Sequence, residues 1–150
     1  MIALVGIAIA ASREQASLEP TGERPWVRLP LRGRARDRIG APRSHGAHQG
    51  IDIYADSDKT VYAHTGGIVD VIVDGRKSHF ASRQRAGLFV ELKADDGNLH
   101  RYLHLGSLDV QEGQRIEKGQ RIGVIEKDHL HFEIRRGYQR YGEPQLPILS

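Results

Sequence analysis

His129-Leu130-His131-Phe132-Glu133-Ile134-Arg135 alternates polar and apolar residues without a break, the period-2 pattern of a half-buried strand. Leu130, Phe132 and Ile134 then share one face, and His129, His131, Glu133 and Arg135 the other. Residues two apart on a face are separated by about 6.6–6.8 Å along a strand. Both histidines can therefore serve one metal site, as two ligands or as one ligand and one base beside it.

Working outward, the same reading predicts strands at Gly50 to Tyr54, Thr60 to Ala63, Gly67 to Asp74, Leu88 to Lys93, Asn98 to Leu103, Gln120 to Ile125 and Leu130 to Arg135. Turn signals stand between them: Asp56-Ser57-Asp58, Asp74-Gly75, Asp95-Asp96-Gly97-Asn98, Glu112-Gly113 and Lys118-Gly119. No segment supports a long amphipathic helix. The fold expected is all-β, a twisted, mainly antiparallel sheet of stacked hairpins with a groove on one face.

A second histidine stretch lies about eighty residues upstream, His48-Gln49-Gly50-Ile51-Asp52. A straight strand would carry His48 about 13 Å from Asp52, and Gly50 followed by Ile51, Ile53 and Tyr54 argues against a helix. His48 is therefore expected in the loop leading into the strand, with Gly50 permitting a bend and Asp52 on the strand proper. A third alternating segment, Arg101-Tyr102-Leu103-His104-Leu105, adds an imidazole in the polar-face set His100, Tyr102 and His104. A catalytic zinc takes three ligands from His, Asp, Glu or Cys and keeps a fourth position for water; these stretches hold the right residue types. His45 is the rival ligand, and His64, His79 and His100 read as surface or loop residues.

The sequence resembles the lysostaphin-type, or LytM-like, zinc metallopeptidases that cut peptide bridges in bacterial cell walls. Three motifs match in order: H-x-G-x-D at His48 to Asp52, Y-x-H-L at Tyr102 to Leu105, and H-L-H-F-E at His129 to Glu133. The likeness begins near Gly40-Ala41-Pro42-Arg43 and runs through Val61-Tyr62-Ala63, Gly66 to Val69 and Val110 to Val124, to Arg136. It implies the LytM-type β fold, with Zn2+ on the floor of the groove, bound by His48, Asp52 and His131. His104 and His129 are implied to act on the water and the transition state, and peptidoglycan peptides to be the substrate. A relative that binds wall or regulates another hydrolase without catalysis is the alternative; such proteins typically lose zinc ligands, and here all are kept. A lipoyl- or biotinyl-like carrier, with Lys127 as the modified residue, would leave these five His and Asp residues unexplained.

Two departures from the family pattern stand out. Relatives carry a long Gly/Ser/Thr-rich loop before the H-x-H strand, forming a wall of the cleft, whereas here only Glu126, Lys127 and Asp128 separate it from Ile125. A Gly-Tyr-Gly-Asn turn is replaced by Arg85-Ala86-Gly87-Leu88, and the long Arg76 to Arg85 segment is a candidate to rebuild the rim.

At 150 residues the chain is one domain's worth, able to bury close to ~70% of its extended surface. There is no cysteine, so no disulfide contributes, though oxidising compartments do not require one. The domain is expected to span residues 31–150, with its core at 40–136 and a linker at 12–30 marked by Glu19-Pro20, Gly22 and Pro25. Met1 to Ala11 is an uninterrupted apolar run resembling the hydrophobic region of a secretory signal, without the usual preceding positive charge. It is too short for a bilayer span, which takes about 20 residues. Export to the periplasm or cell envelope is the expectation. Basic residues outnumber acidic ones only 22 to 19, but Arg24, Arg28, Arg32, Arg34, Arg36, Arg38 and Arg43 cluster against one acid, Asp37. With little aromatic interleaving beyond Trp26, this arm reads as a solvated lead-in segment, and no nucleic-acid partner is expected.

Overall fold

The computed structural model describes residues 29–139 and 144–145. The apolar run Met1 to Ala11, residues 12–28 of the expected linker, and Arg24 and Arg28 of the basic arm lie outside the described residues.

The described residues form twelve strands: β1 Gly33–Asp37, β2 Pro42–Arg43, β3 Gly46–Ala47, β4 Ile51–Ala55, β5 Thr60–Tyr62, β6 Gly67–Asp74, β7 Leu88–Ala94, β8 Leu99–Leu108, β9 Arg115–Ile116, β10 Arg121–Ile125, β11 His129–Arg135 and β12 Pro144–Gln145. The main sheet runs β1-β4-β11-β8-β7-β6-β9, with β10 bridging β5 and β8 and β12 beside β11; every pairing is antiparallel. Strands β2 and β3 form a separate small hairpin. One short helix, α1 Ala81–Ala86, and single 3-10 turns at Gly75–Lys77 and Arg136–Tyr138 complete the described elements. The fold is all-β and mainly antiparallel, as the alternation predicts.

The apolar face of β11 carries the core. Leu130 and Phe132 are fully buried with Ile53, Val90, Leu92, Tyr102, Leu105 and Ile122, each such side chain contributing about 1.5–3 kcal/mol by leaving water. Tyr102 packs against Phe132 with ring centroids 5.0 Å apart, and its hydroxyl accepts a hydrogen bond from the His64 backbone N–H at 3.0 Å.

Arg32, Arg34, Arg36 and Arg38 are exposed, as expected of a solvated segment, and they flank or lie within β1, an edge strand paired to β4 that the sequence pattern does not predict. The pairing is close because Gly33 has no Cβ; one there would collide with the Tyr54 carbonyl. Leu29 and Pro30, the last residues of the expected linker, join the fold: Leu29 packs on the core and the Pro30 carbonyl accepts from the Tyr62 N–H at 2.7 Å. His100 is no surface residue. Its ring is fully buried, 5.6 Å from that of Phe132, with Nε2 2.7 Å from Asp96 Oδ2. Burial lowers its pKa, against the opposing pull of Asp96.

Candidate metal centre

The register between β4 and β11 pairs Asp52 directly with His131 and Tyr54 with His129. That pairing joins the two motifs, because facing residues of an antiparallel ladder present their side chains on the same face a few ångströms apart. His48 precedes β4 and is set by the chain beside it: its N–H donates to the Ala41 carbonyl at 2.9 Å and its carbonyl accepts from Gly40 at 2.8 Å. The β2–β3 hairpin closes that loop.

Three atoms converge. His48 Nε2 lies 3.0 Å from Asp52 Oδ1 and 2.9 Å from His131 Nδ1, and His131 Nδ1 lies 2.9 Å from Asp52 Oδ1. All three residues are buried, and among the described residues they are the one group of His, Cys, Asp or Glu so arranged. The outer atoms of both rings are tied to acceptors. His48 Nδ1 is 3.0 Å from the Arg38 carbonyl, and His131 Nε2 is 2.9 Å from Glu133 Oε1. An imidazole that donates outward from one nitrogen turns a lone pair inward on the other. Two lone pairs and a carboxylate oxygen at hydrogen-bond distance from one another repel unless a cation sits among them. A zinc-sized ion, with bonds of about 2.0–2.2 Å to nitrogen and oxygen, suits this donor set.

The charges of the metal-free protein show the same demand. Burial would raise the Asp52 pKa, but the hydrogen bond and charge of His131, then the charges of His48 and His129, bring it down to about 2. Burial would likewise lower that of His131, yet its bonds to Asp52 and Glu133 raise it. A positive charge at His131 is thus favoured, the same sign that a bound cation would supply.

Around this trio lies a layer of charge that the sequence did not reveal. Glu133 Oε2 accepts from Arg101 Nη1 at 2.8 Å and from Arg135 Nε at 2.9 Å, while Arg101 Nε donates to Glu91 Oε1 at 3.0 Å. Arg43 Nη2 donates to the outer oxygen of Asp52 at 2.6 Å. The signal for Glu133 was visible in its place on the His131 face of β11; its partners across β8 and β7 were not. Gly50 lies at a bend, as expected, and has a second role. Its φ lies outside the left-handed range, and a Cβ there would collide with the Phe132 carbonyl and stand 2.9 Å from His131 Nε2. The glycine is a close approach that leaves room for the imidazole.

Two further histidines border the trio. His104 lies with its ring centroid 4.9 Å from that of His129 and 5.9 Å from that of His131. Simple alternation along β8 would put it with His100 and Tyr102 on the Phe132 side. Instead its φ is +68°, and the register of β8 slips against both neighbours here, between Leu88 and Val90 of β7 and between Val124 and Ile125 of β10. The bulge turns His104 to the metal face, a strained backbone of the kind found at functional sites. Burial, then the charges of His129 and His131, lower its pKa to about 4, and it hydrogen-bonds the Ala86 backbone at the end of α1. The Arg76 to Arg85 segment, expected at the rim, thus leads directly to His104. His129 stacks on Tyr54, centroids 5.0 Å apart, and its Nδ1 is 2.8 Å from Asp128 Oδ1. His45 is exposed and stands outside the trio, its Nδ1 3.4 Å from Ser44 Oγ.

Residues 46–144, which span the trio, both bordering histidines and every strand from β3 to β11, match the description of peptidase family M23. The chain belongs to peptidase family M23. Among characterised members it is 30% identical over 93 residues to the peptidoglycan DD-endopeptidase ShyA of Vibrio cholerae serotype O1, covering 58% of this chain and 20% of ShyA. It is also 30% identical over 114 residues to the murein hydrolase activator NlpD of Escherichia coli K12, covering 72% of this chain and 27% of NlpD. The chain thus spans about a fifth to a quarter of the length of these relatives. In fold this M23 domain resembles the catalytic domain of the antimicrobial peptidase lysostaphin from Staphylococcus simulans, with a TM-score of 0.60 at 21% identity over 83% of this chain and 94% of that one.

Proposed function

We propose that this M23 domain is a zinc-dependent endopeptidase that hydrolyses cross-links or stem peptides of bacterial peptidoglycan, acting after export in the periplasm or cell envelope. The observation that carries the reading is the convergence of His48 Nε2, Asp52 Oδ1 and His131 Nδ1 within 3.0 Å of one another, with both rings anchored from outside. The ShyA likeness supports the substrate. Among the described residues no helix is long and apolar enough to cross a membrane.

In this reading His48, Asp52 and His131 hold Zn2+. The ion supplies Lewis acidity, activating water and polarising the scissile carbonyl. His104, kept neutral by burial, accepts a hydrogen bond and orients the water. His129, its side chain 26% exposed, takes the proton and delivers it to the leaving amine.

The NlpD likeness favours a second reading, a catalytically silent domain that binds wall or regulates another hydrolase. Metal analysis and digestion of purified sacculi separate the two. The endopeptidase contains stoichiometric zinc and releases peptide fragments, and His131→Ala loses both. Stoichiometric zinc without cleavage of sacculi of any cross-link type refutes the enzyme and leaves the regulator.

A further inference from the structure

We infer that Asp128 is a positioning residue: its carboxylate fixes the tautomer and the plane of His129, so that the lone pair of His129 Nε2 is the one offered to the reaction. This rests on the reading of His129 as the proton carrier.

The three-residue connection Glu126-Lys127-Asp128 ends with a carboxylate next to the H-x-H strand. Asp128 Oδ1 lies 2.8 Å from His129 Nδ1, the distance of a charge-assisted bond. The Asp128 backbone is itself fixed, since its carbonyl accepts from the Ala55 N–H at 2.9 Å. The β4 ladder therefore extends one residue past His129. On its face the ring is held by Tyr54, which in turn carries the Arg36 guanidinium 5.1 Å from its centroid. Position is thus set by packing and tautomer by the carboxylate.

The other three imidazoles follow the same rule. His48 is tied to the Arg38 carbonyl, His131 to Glu133 and His104 to the Ala86 backbone. Each has one nitrogen engaged outward and the other left as an acceptor. Without Asp128, His129 would be the exception. An imidazole with no outward acceptor can carry its proton on Nε2, where it cannot accept one from water or substrate. The side chain of Asp128 is 72% exposed, so its contribution to folding is small and its effect is confined to the ring it touches.

The test uses the full chain loaded with zinc, with Asp128→Ala and the carboxylate-keeping Asp128→Glu. Nitrogen-15 NMR of the side chains reads the tautomer directly. His129 is expected to carry its proton on Nδ1 in the native protein, to lose that preference in Asp128→Ala and to regain it at least in part in Asp128→Glu. In steady-state cleavage of a soluble peptidoglycan fragment, kcat should fall about 10–100-fold in Asp128→Ala, with KM and zinc content unchanged. An unchanged Nδ1-protonated tautomer in Asp128→Ala overturns the inference, as does an unchanged kcat in a native enzyme that cleaves. If the native protein cleaves nothing, the proposed function fails, and the NMR arm still decides whether Asp128 orients the ring.

Discussion

Glu133→Gln is the substitution that most sharply tests how the metal centre is built. Each carboxylate oxygen of Glu133 accepts: Oε1 from His131 Nε2–H at 2.9 Å, and Oε2 from both Arg101 and Arg135 at 2.8 and 2.9 Å. Glutamine has the same shape but only one acceptor end. If its oxygen faces the arginines, its NH2 meets His131 Nε2 and drives the ring proton to Nδ1, the atom the metal needs. If its oxygen faces His131, the NH2 points at two guanidinium groups. The first outcome costs zinc affinity, about 10–100-fold for a lost outer partner of a ligand. The second costs stability. Charge-assisted bonds are worth ~1.5–3 kcal/mol against ~0.5–1.5 for neutral ones, and a buried donor left facing a donor adds about 1–3. A combined loss of about 2–4 kcal/mol lowers the melting midpoint of a domain this size by roughly 5–15 °C. Competition with a chromogenic chelator reads the affinity, and melts of chelator-treated protein read the stability. Zinc affinity within twofold of native, together with a midpoint within about 1 °C of it, would refute the claim that Glu133 organises the site.

Four further outcomes follow from the same geometry. His104→Ala should keep stoichiometric zinc and lose about 10²–10³ in kcat, as removal of one preorganised hydrogen-bonding group typically does; metal loss in that variant would make His104 a ligand instead. Gly50→Ala should destabilise the protein by about 1–3 kcal/mol through overpacking and weaken zinc binding, because its Cβ meets the Phe132 carbonyl and His131; a melting curve and chelator titration matching the native protein would contradict this. Acid should unfold the metal-free protein through Glu133 and Asp52. Burial opposes their ionisation, but His131, with the arginines at Glu133, holds both at about 2 in the folded state, against 4.5 and 3.8 unperturbed. The unfolded chain therefore binds protons first, and stability is lost as pH falls from about 4.5 toward 2. Zinc binding and activity should fade on acidification as the ligand histidines take up protons, and an activity profile flat down to about pH 4 would count against a histidine-held metal.

The strand pattern was legible because alternation and turn residues are local properties. Gly67–Asp74 has the ends the sequence predicts, β5, β7, β10 and β11 differ by one residue at one end, and β4 is shifted by one residue at both. Strand β8 was expected to stop at Leu103 and runs on to Leu108, since the bulge at His104 breaks the alternation without ending the pairing. Strand β1 escaped notice because Gly33-Arg34-Ala35-Arg36-Asp37 has no apolar face; it is a strand by pairing with β4, not by its own pattern. His100 was misjudged for a similar reason. A histidine in a polar-looking segment reads as exposed until the fold supplies Asp96 and a wall of aromatic rings.

By itself the sequence determined the all-β class and most strand positions, because alternation and turns are local, and its three ordered motifs, through their resemblance to a known family, pointed to the five residues of the candidate metal centre. Only the tertiary structure decided how they meet. The β4–β11 register sets Asp52 against His131, a positive φ brings His104 across the sheet, and Glu133, Arg38 and Asp128 choose which nitrogen of each ring is free. Tautomers and facing pairs are fixed by partners distant in sequence, or by the direction in which a carboxylate points, and neither is written in a spacing.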